Sequence, residues 1–325
     1  MSSLTPEQAA AHIRAGELVA FPTETVYGLG ADASNDAAVA RIFAAKGRPA
    51  DHPLIVHVAG RHQVEHYASS VPPFADRLMQ AFWPGPLTVI LPRKPGVASA
   101  AAGGQNSVGL RCPDHPVALA FLSACNTGVA GPSANRFGRV SPTTAQHVHD
   151  EFGDDLLVLD GGPCAVGIES SIVDCTRGQP VLLRPGVITC AQLEAACGER
   201  LLSKDEADQH LLGSASPRAP GTLASHYAPS AKVRLMDAKA IQTALDVLGT
   251  DAAHIAVYAR AVVRIESSRV VFRRMPDDAA ATAQQLFAAL RDFDVQGVKL
   301  IWVETLPKDA TWDGVRDRLI RAAAH

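Results

Sequence analysis

Two cations one residue apart, Lys46 and Arg48, open the segment KGRPADHPLIVHV (Lys46–Val58). A lysine is a point charge and an arginine a planar fork, so the pair suits a phosphate. Pro49 and Pro53 stiffen the following loop and would hold both cations in place. Two cations at a helix end also read as a cap that complements the helix dipole. The residues alone leave both readings open. His52 lies in the loop and His57 in the apolar run after it. Five-residue spacing across a loop and a strand is not a zinc pattern, so no metal ligands are assigned.

Other segments have the same character. PTETVYGLGADA (Pro22–Ala33) contains G-x-G-x-x-A at Gly28, Gly30 and Ala33. A dinucleotide fingerprint needs its glycines between a strand and the helix it opens. Here Thr23, Glu24, Thr25 and Tyr27 intervene, and the next helix begins only at Asn35. No G-x-x-x-x-G-K-[ST] occurs, so a nucleotide would not be held by a P-loop. GPSANRFGRVSPTTAQHV (Gly131–Val148) is a Gly/Ser/Pro loop, and Ser141-Pro142-Thr143 reads as a helix start, with serine as the cap. Such a start binds phosphate readily, or is only a capped turn. Glu169, Ser170 and Ser171 lead into an apolar strand. Arg184 ends another; a cation at a strand end is often only solvent-exposed, but one flanked by Pro185 and Gly186 is better placed than most to face a cleft.

The elements that carry these residues follow from periodicity. Thr5 to Gly16 reads as a helix with a Thr5/Gln8 capping box. LVAF (Leu18–Phe21) reads as a strand. Asn35 caps a helix that ends at Gly47, and LIVHV (Leu54–Val58) is a strand. Further strands fall at Leu87–Leu91, Ser107–Arg111, Leu156–Leu159, Ser171–Asp174 and Val181–Leu183. Helices fall at Phe74–Phe82 and Val117–Ala124. Without clean βαβ alternation, the pattern predicts an α/β domain on a large twisted mixed sheet. Near residue 203 the composition turns polar, then rich in Gly, Pro, Ser and Ala. This predicts a domain over 1–205, a linker or lid over 206–230, and a small α/β Rossmann-like domain over 231–325.

Bulk properties narrow the function. The 325 residues are 47% hydrophobic and 19% charged, enough for a sizeable core. A net charge of −3 argues against a protein that coats nucleic acid, which needs excess Lys and Arg. Weak RNA binding through a local basic pocket remains open. No signal peptide or bilayer-spanning run is read, which points to a cytoplasmic protein without membrane partners. The six cysteines form no CxxC pair and read as reduced thiols.

FPTETVYGLGADA, K-G-R-P-x-x-H-P-L-I-V-H-V, WPGPLTVIL, SVGLR, GPSAN…SPT, ESSIVD and LLRPG occur in this order over residues 15 to 200. The chain thereby resembles the YrdC-type threonylcarbamoyl-AMP synthase family. SPRAPGTLASHYAP, followed by a second α/β domain, resembles its longer, two-domain form. The resemblance implies adenylylation of a carbamate built on L-threonine, with ATP and bicarbonate or CO₂ as co-substrates and Mg²⁺ held mainly by ATP. The carbamate oxygen would attack the α-phosphorus and pyrophosphate would leave, with no covalent enzyme intermediate. A downstream tRNA threonylcarbamoyl-transferase complex would receive the product. By the same resemblance, Thr25, His57, Arg111, Gly131 and Ser171 bind L-threonine. Lys46, Arg48, His52, Ser107, Ser133, Asn135, Ser141 and Arg184 bind ATP, with Tyr227 arriving from the linker. Lys46 and Arg48 would also be the catalytic cations. His52 stands where asparagine is more usual. Two other readings stay open: an RNA-binding or regulatory protein, and an enzyme acting on another amine or on carbamoyl phosphate.

Overall fold

The computed structural model describes residues 4–210, 216–261 and 263–324. The chain forms two compact units. One comprises residues 1–137 and 141–222, the other residues 138–140 and 223–325. The division at 222/223 falls inside the segment 206–230 that composition marks as a linker. Residues 211–215 of that segment lie outside the described residues.

In the first unit a helix at Pro6–Arg14 starts on the predicted Thr5/Gln8 capping box. Ten strands follow in chain order: β1 (Val19–Phe21), β2 (Gly28–Asp32), β3 (Ile55–His57), β4 (Leu87–Pro92), β5 (Ser107–Arg111), β6 (Val129–Ala130), β7 (Leu157–Val158), β8 (Ser171–Asp174), β9 (Val181–Arg184) and β10 (Leu202–Ser203). They form one sheet in the order β10-β9-β8-β4-β5-β3-β6-β2-β1-β7. It is mixed: β3 runs parallel to β5 and β4 to β8, while β4–β5, β3–β6 and β1–β2 are antiparallel.

The strand β2 is absent from the sequence reading. Its glycines belong to a hairpin with β1, in the register Val19↔Gly30 and Phe21↔Gly28. A Cβ on Gly28 would lie 2.9 Å from the Phe21 ring, and one on Gly30 would lie 2.9 Å from Val129 Cγ1. These glycines make room for neighbours inside a sheet and do not cradle a dinucleotide. The helix read at Ser141 also starts later, at Ala145–Phe152. Thr144 caps it by accepting from the His147 N–H at 3.2 Å. The Ser141 hydroxyl is engaged elsewhere, on Glu169.

The second unit is a four-stranded parallel sheet. Its strands are β11 (Lys232–Met236), β12 (Ile255–Ala259), β13 (Val270–Arg274) and β14 (Leu300–Glu304), in the order β11-β14-β12-β13. The helices Ala238–Leu248, Ala279–Val295 and Asp313–Ala323 accompany it. Leu286, Phe287, Leu290 and Phe293 recur at helical spacing on the second of these and are buried. Tyr227 belongs to this unit. Its ring stacks on Phe287 with centroids 5.6 Å apart, and the Arg318 guanidinium lies 5.3 Å from its centre.

Candidate active site

The parallel pairing of β3 with β5 sets His57 beside Arg111. Paired residues project from the same face of a sheet, so both side chains enter one space. Arg111 is buried and held on three sides. Nη1 donates to Thr25 Oγ1 at 2.8 Å, and Nε donates to the Gly85 carbonyl at 3.4 Å. Nη2 lies 2.7 Å from Glu24 Oε1. The turn carrying Glu24 and Thr25 is fixed by Thr23, whose hydroxyl donates to the Val26 carbonyl at 2.6 Å and accepts from the Thr25 and Val26 N–H groups.

His57 is 3% exposed. Burial, reinforced by the Arg111 charge, pushes its pKa down to about 3, so the ring is neutral at physiological pH. Its Nδ1 has no hydrogen-bond partner among the described residues. Phe21 meets the imidazole edge-on at 5.3 Å. Gly131 closes this corner: a Cβ there would lie 2.8 Å from the Phe21 ring and 3.0 Å from His57 Nδ1. Its lack of a side chain is therefore a packing requirement.

Alternation along β5 puts Ser107 and Gly109 on the Arg111 face, with Ser107 about 13 Å away at 3.3 Å per residue. Arg184 of β9 pairs with Ile172 on the same side. Its Nε and Nη2 donate to Ser170 O and Oγ at 3.0 and 3.2 Å, and Nη1 donates to the Pro220 carbonyl at 2.9 Å.

Lys46 is the last residue of the helix Asp36–Lys46, which Gly47 ends in a left-handed conformation at φ 64°. Its buried Nζ donates to the Ser133 carbonyl at 2.5 Å and to the Asn135 carbonyl. Burial, and secondly the Arg48 charge, push its pKa well below the ordinary lysine range. Arg48 Nη2 donates to the Pro53 carbonyl at 2.9 Å, and its guanidinium lies 5.5 Å from the centre of the Phe137 ring. His52 packs edge-on against the same ring at 5.5 Å, and its pKa is lowered by burial and then by Arg48. Two neighbouring cations, with burial pressing one toward neutrality, make a place where an anion is stabilising.

Residues 11–186 match the family described as "Telomere recombination", and residues 188–324 match "Threonylcarbamoyl-AMP synthase, C-terminal domain". The chain belongs to the two-domain threonylcarbamoyl-AMP synthase family. It is 41% identical to the threonylcarbamoyl-AMP synthase of Bacillus subtilis, over 97% of this chain and 92% of that protein. It is 38% identical to the Pyrococcus abyssi protein of the same name, over 98% and 93%. The crystal structure of P. abyssi Sua5 complexed with L-threonine has a TM-score of 0.87 at 38% identity, covering 98% of this chain and 94% of that one. Mixed and parallel α/β units in this order are the fold of that relative.

Within this family frame, the structure gathers Thr25, His57, Arg111 and Gly131 in one corner. Lys46, Arg48, His52, Ser133 and Asn135 gather around Phe137 and the loop that follows Gly131. The Ser171 hydroxyl is not on the Arg111 face. Ser171 pairs with core residue Leu87, and its Oγ donates to the Ile188 carbonyl at 3.3 Å. Its neighbour Ser170 is on that face, where its hydroxyl meets Thr88 Oγ1 at 2.8 Å. Glu24, Thr88 and Ser170 were given no role by the sequence reading. Glu24 carried a usable signal, a carboxylate inside the densest polar motif. Thr88, in an apolar strand, carried none.

Proposed function

We propose that the chain makes threonylcarbamoyl-AMP and pyrophosphate from L-threonine, bicarbonate or CO₂, and ATP, supplying the threonylcarbamoyl group of tRNA. The observation that carries this reading is the fixed Arg111 fork, set in register with neutral His57 and braced by Thr25. The threonine carboxylate meets Arg111, a planar partner for a planar anion. Its hydroxyl meets Thr25 and His57, with the backbone at Gly131 closing the pocket. ATP lies along the Lys46–Arg48–His52 side, with Ser107, Ser133, Asn135, Ser141 and Arg184 around its phosphates and sugar. Tyr227 is proposed as a further nucleotide contact. Mg²⁺ would be held by the phosphate oxygens of ATP, the hard ligands it prefers, and would supply charge neutralisation there. The carbamate oxygen attacks the α-phosphorus in line, and pyrophosphate leaves. Positioning and charge neutralisation carry the rate. The adenylate then passes to a tRNA threonylcarbamoyl-transferase complex.

The test is incubation with ATP, Mg²⁺, bicarbonate and L-threonine, with the adenylate read by mass spectrometry and pyrophosphate by coupled assay. Both products are expected to require threonine and to disappear when Mg²⁺ is chelated. Arg48→Ala is expected to lower pyrophosphate release at limiting ATP by roughly 10- to 150-fold, the worth of a charge-assisted phosphate contact of about 1.5–3 kcal/mol. Wild-type release by that variant would refute the phosphate assignment.

A further inference from the structure

Glu24 has no role in the assignments above, yet it sits in the same corner. Its side chain is 7% exposed. One oxygen, Oε1, pairs with Arg111 Nη2 at 2.7 Å. The other, Oε2, accepts no hydrogen bond among the described residues. A buried carboxylate oxygen left without a donor is costly, so its retention points to a ligand that brings one.

The substrate brings such a donor. A free amino acid carries its carboxylate and its ammonium on the same carbon. If Arg111 takes the carboxylate, the ammonium falls beside whatever is paired to Arg111. That neighbour is an anion. The ammonium must also lose a proton before its nitrogen can be carboxylated.

We propose that Glu24 recognises the α-ammonium of L-threonine and accepts the proton that frees its nitrogen lone pair. This rests on the placement of the threonine carboxylate at Arg111. In the step, an N–H bond of the ammonium breaks and its electron pair stays on nitrogen, while the Glu24 carboxylate becomes a carboxylic acid. The amine then bonds to the carbon of CO₂, and one C=O π pair moves onto oxygen. A second nitrogen-bound proton leaves to solvent, giving the carbamate. Other titratable groups around Glu24 are poorly suited to take the proton. Arg111 is a permanent cation. Burial pushes the Cys112 and Cys164 thiols up to about 11 and 12, so they are already protonated. His57, with its pKa near 3, is a feeble base.

The experiment compares L-threonine with (R)-3-hydroxybutyrate, which keeps the carboxylate and hydroxyl but lacks the ammonium. Calorimetric affinities are measured for the wild-type chain and for Glu24→Gln, Glu24→Asp and Arg111→Lys. Wild type is expected to prefer threonine by about tenfold or more, as for a lost contact to a charged group. Equal wild-type affinities overturn the proposal without any variant. Glu24→Gln is expected to remove most of that preference while leaving 3-hydroxybutyrate binding nearly unchanged. Its pyrophosphate release should climb with pH as free amine accumulates, more steeply than in wild type. Glu24→Asp should restore part of the preference. Parallel loss of both ligands in Glu24→Gln would make Glu24 only a brace for Arg111, and unchanged affinities would make it a bystander. Either result sinks the proposal. If Arg111→Lys binds both ligands as wild type does, the carboxylate placement itself is wrong, and that failure is separate from a failure of Glu24.

Discussion

His57 sits beside a cation, behind a phenylalanine and under a glycine, and each neighbour keeps it neutral or in place. Its depressed pKa has a stability consequence with a definite sign. Between pH 6.5 and about 3 the unfolded chain binds a proton at His57 that the native chain does not. Stability therefore rises with pH through this window and is lost as pH falls. Between pH 8 and 5 this one site should cost about 2 kcal/mol, at 1.36 kcal/mol per pH unit. Urea unfolding of wild type and His57→Asn at the two pH values tests it. The stability difference between them should shift in favour of the variant at pH 5, and a pH-independent difference would show that His57 does not titrate on unfolding. At this scale the strand that ends at Arg111 was legible in its residues, while a role for Arg111 came from the family resemblance alone. The sequence was not legible for the serines, because Ser170 and Ser171 are the same residue type. Which one faces the site depends on the pairing of Ser171 with Leu87, a long-range register.

The helices around the site were readable because their ends carry local chemistry. Thr5 with Gln8, and Asn35 with Gly47, are the caps observed. The strand Gly28–Asp32 was hidden because glycine has low strand propensity, and only Phe21 and Val129 explain its use. Gly30→Ala should therefore lower stability by about 1–3 kcal/mol, the usual range for overpacking. A Cβ there meets Val129 Cγ1 at 2.9 Å and the Val19 backbone oxygen at 3.0 Å, and a backbone atom cannot move aside cheaply. Gly109→Ala is the control. Its Cβ would meet nothing closer than 3.5 Å. It should unfold within about 0.5 kcal/mol of wild type. Equal denaturation midpoints for the two variants would mean that β2 yields where the packing says it is rigid.

The second unit shows a different balance of what sequence can carry. Its α/β character was plain, since its most buried strand, Ile255–Ala259, is a short apolar run and two of its three helices start on an aspartate cap, Asp237 and Asp278. The partition of the connecting segment was not plain, because composition marks flexibility and turns but not the unit a residue packs with. Tyr227 illustrates this. Its backbone is left-handed at φ 61°, uncommon for a residue with a side chain, and its ring is stacked on Phe287 under Arg318. Removing the ring should open a cavity in the second unit and cost about 3–5 kcal/mol, whatever else the residue does. Tyr227→Ala is thus a poor test of nucleotide binding. Tyr227→Phe keeps the stack and deletes only the hydroxyl. If Tyr227 serves the nucleotide as proposed, Tyr227→Phe should weaken ATP binding by about tenfold, the worth of one hydrogen bond of about 1.4 kcal/mol, with the melting temperature nearly unchanged. Titration calorimetry with ATP and scanning calorimetry on the same samples separate the two effects. An ATP affinity equal to wild type in Tyr227→Phe, beside a lowered melting temperature in Tyr227→Ala, would make Tyr227 a packing residue of the second unit and remove it from the nucleotide site.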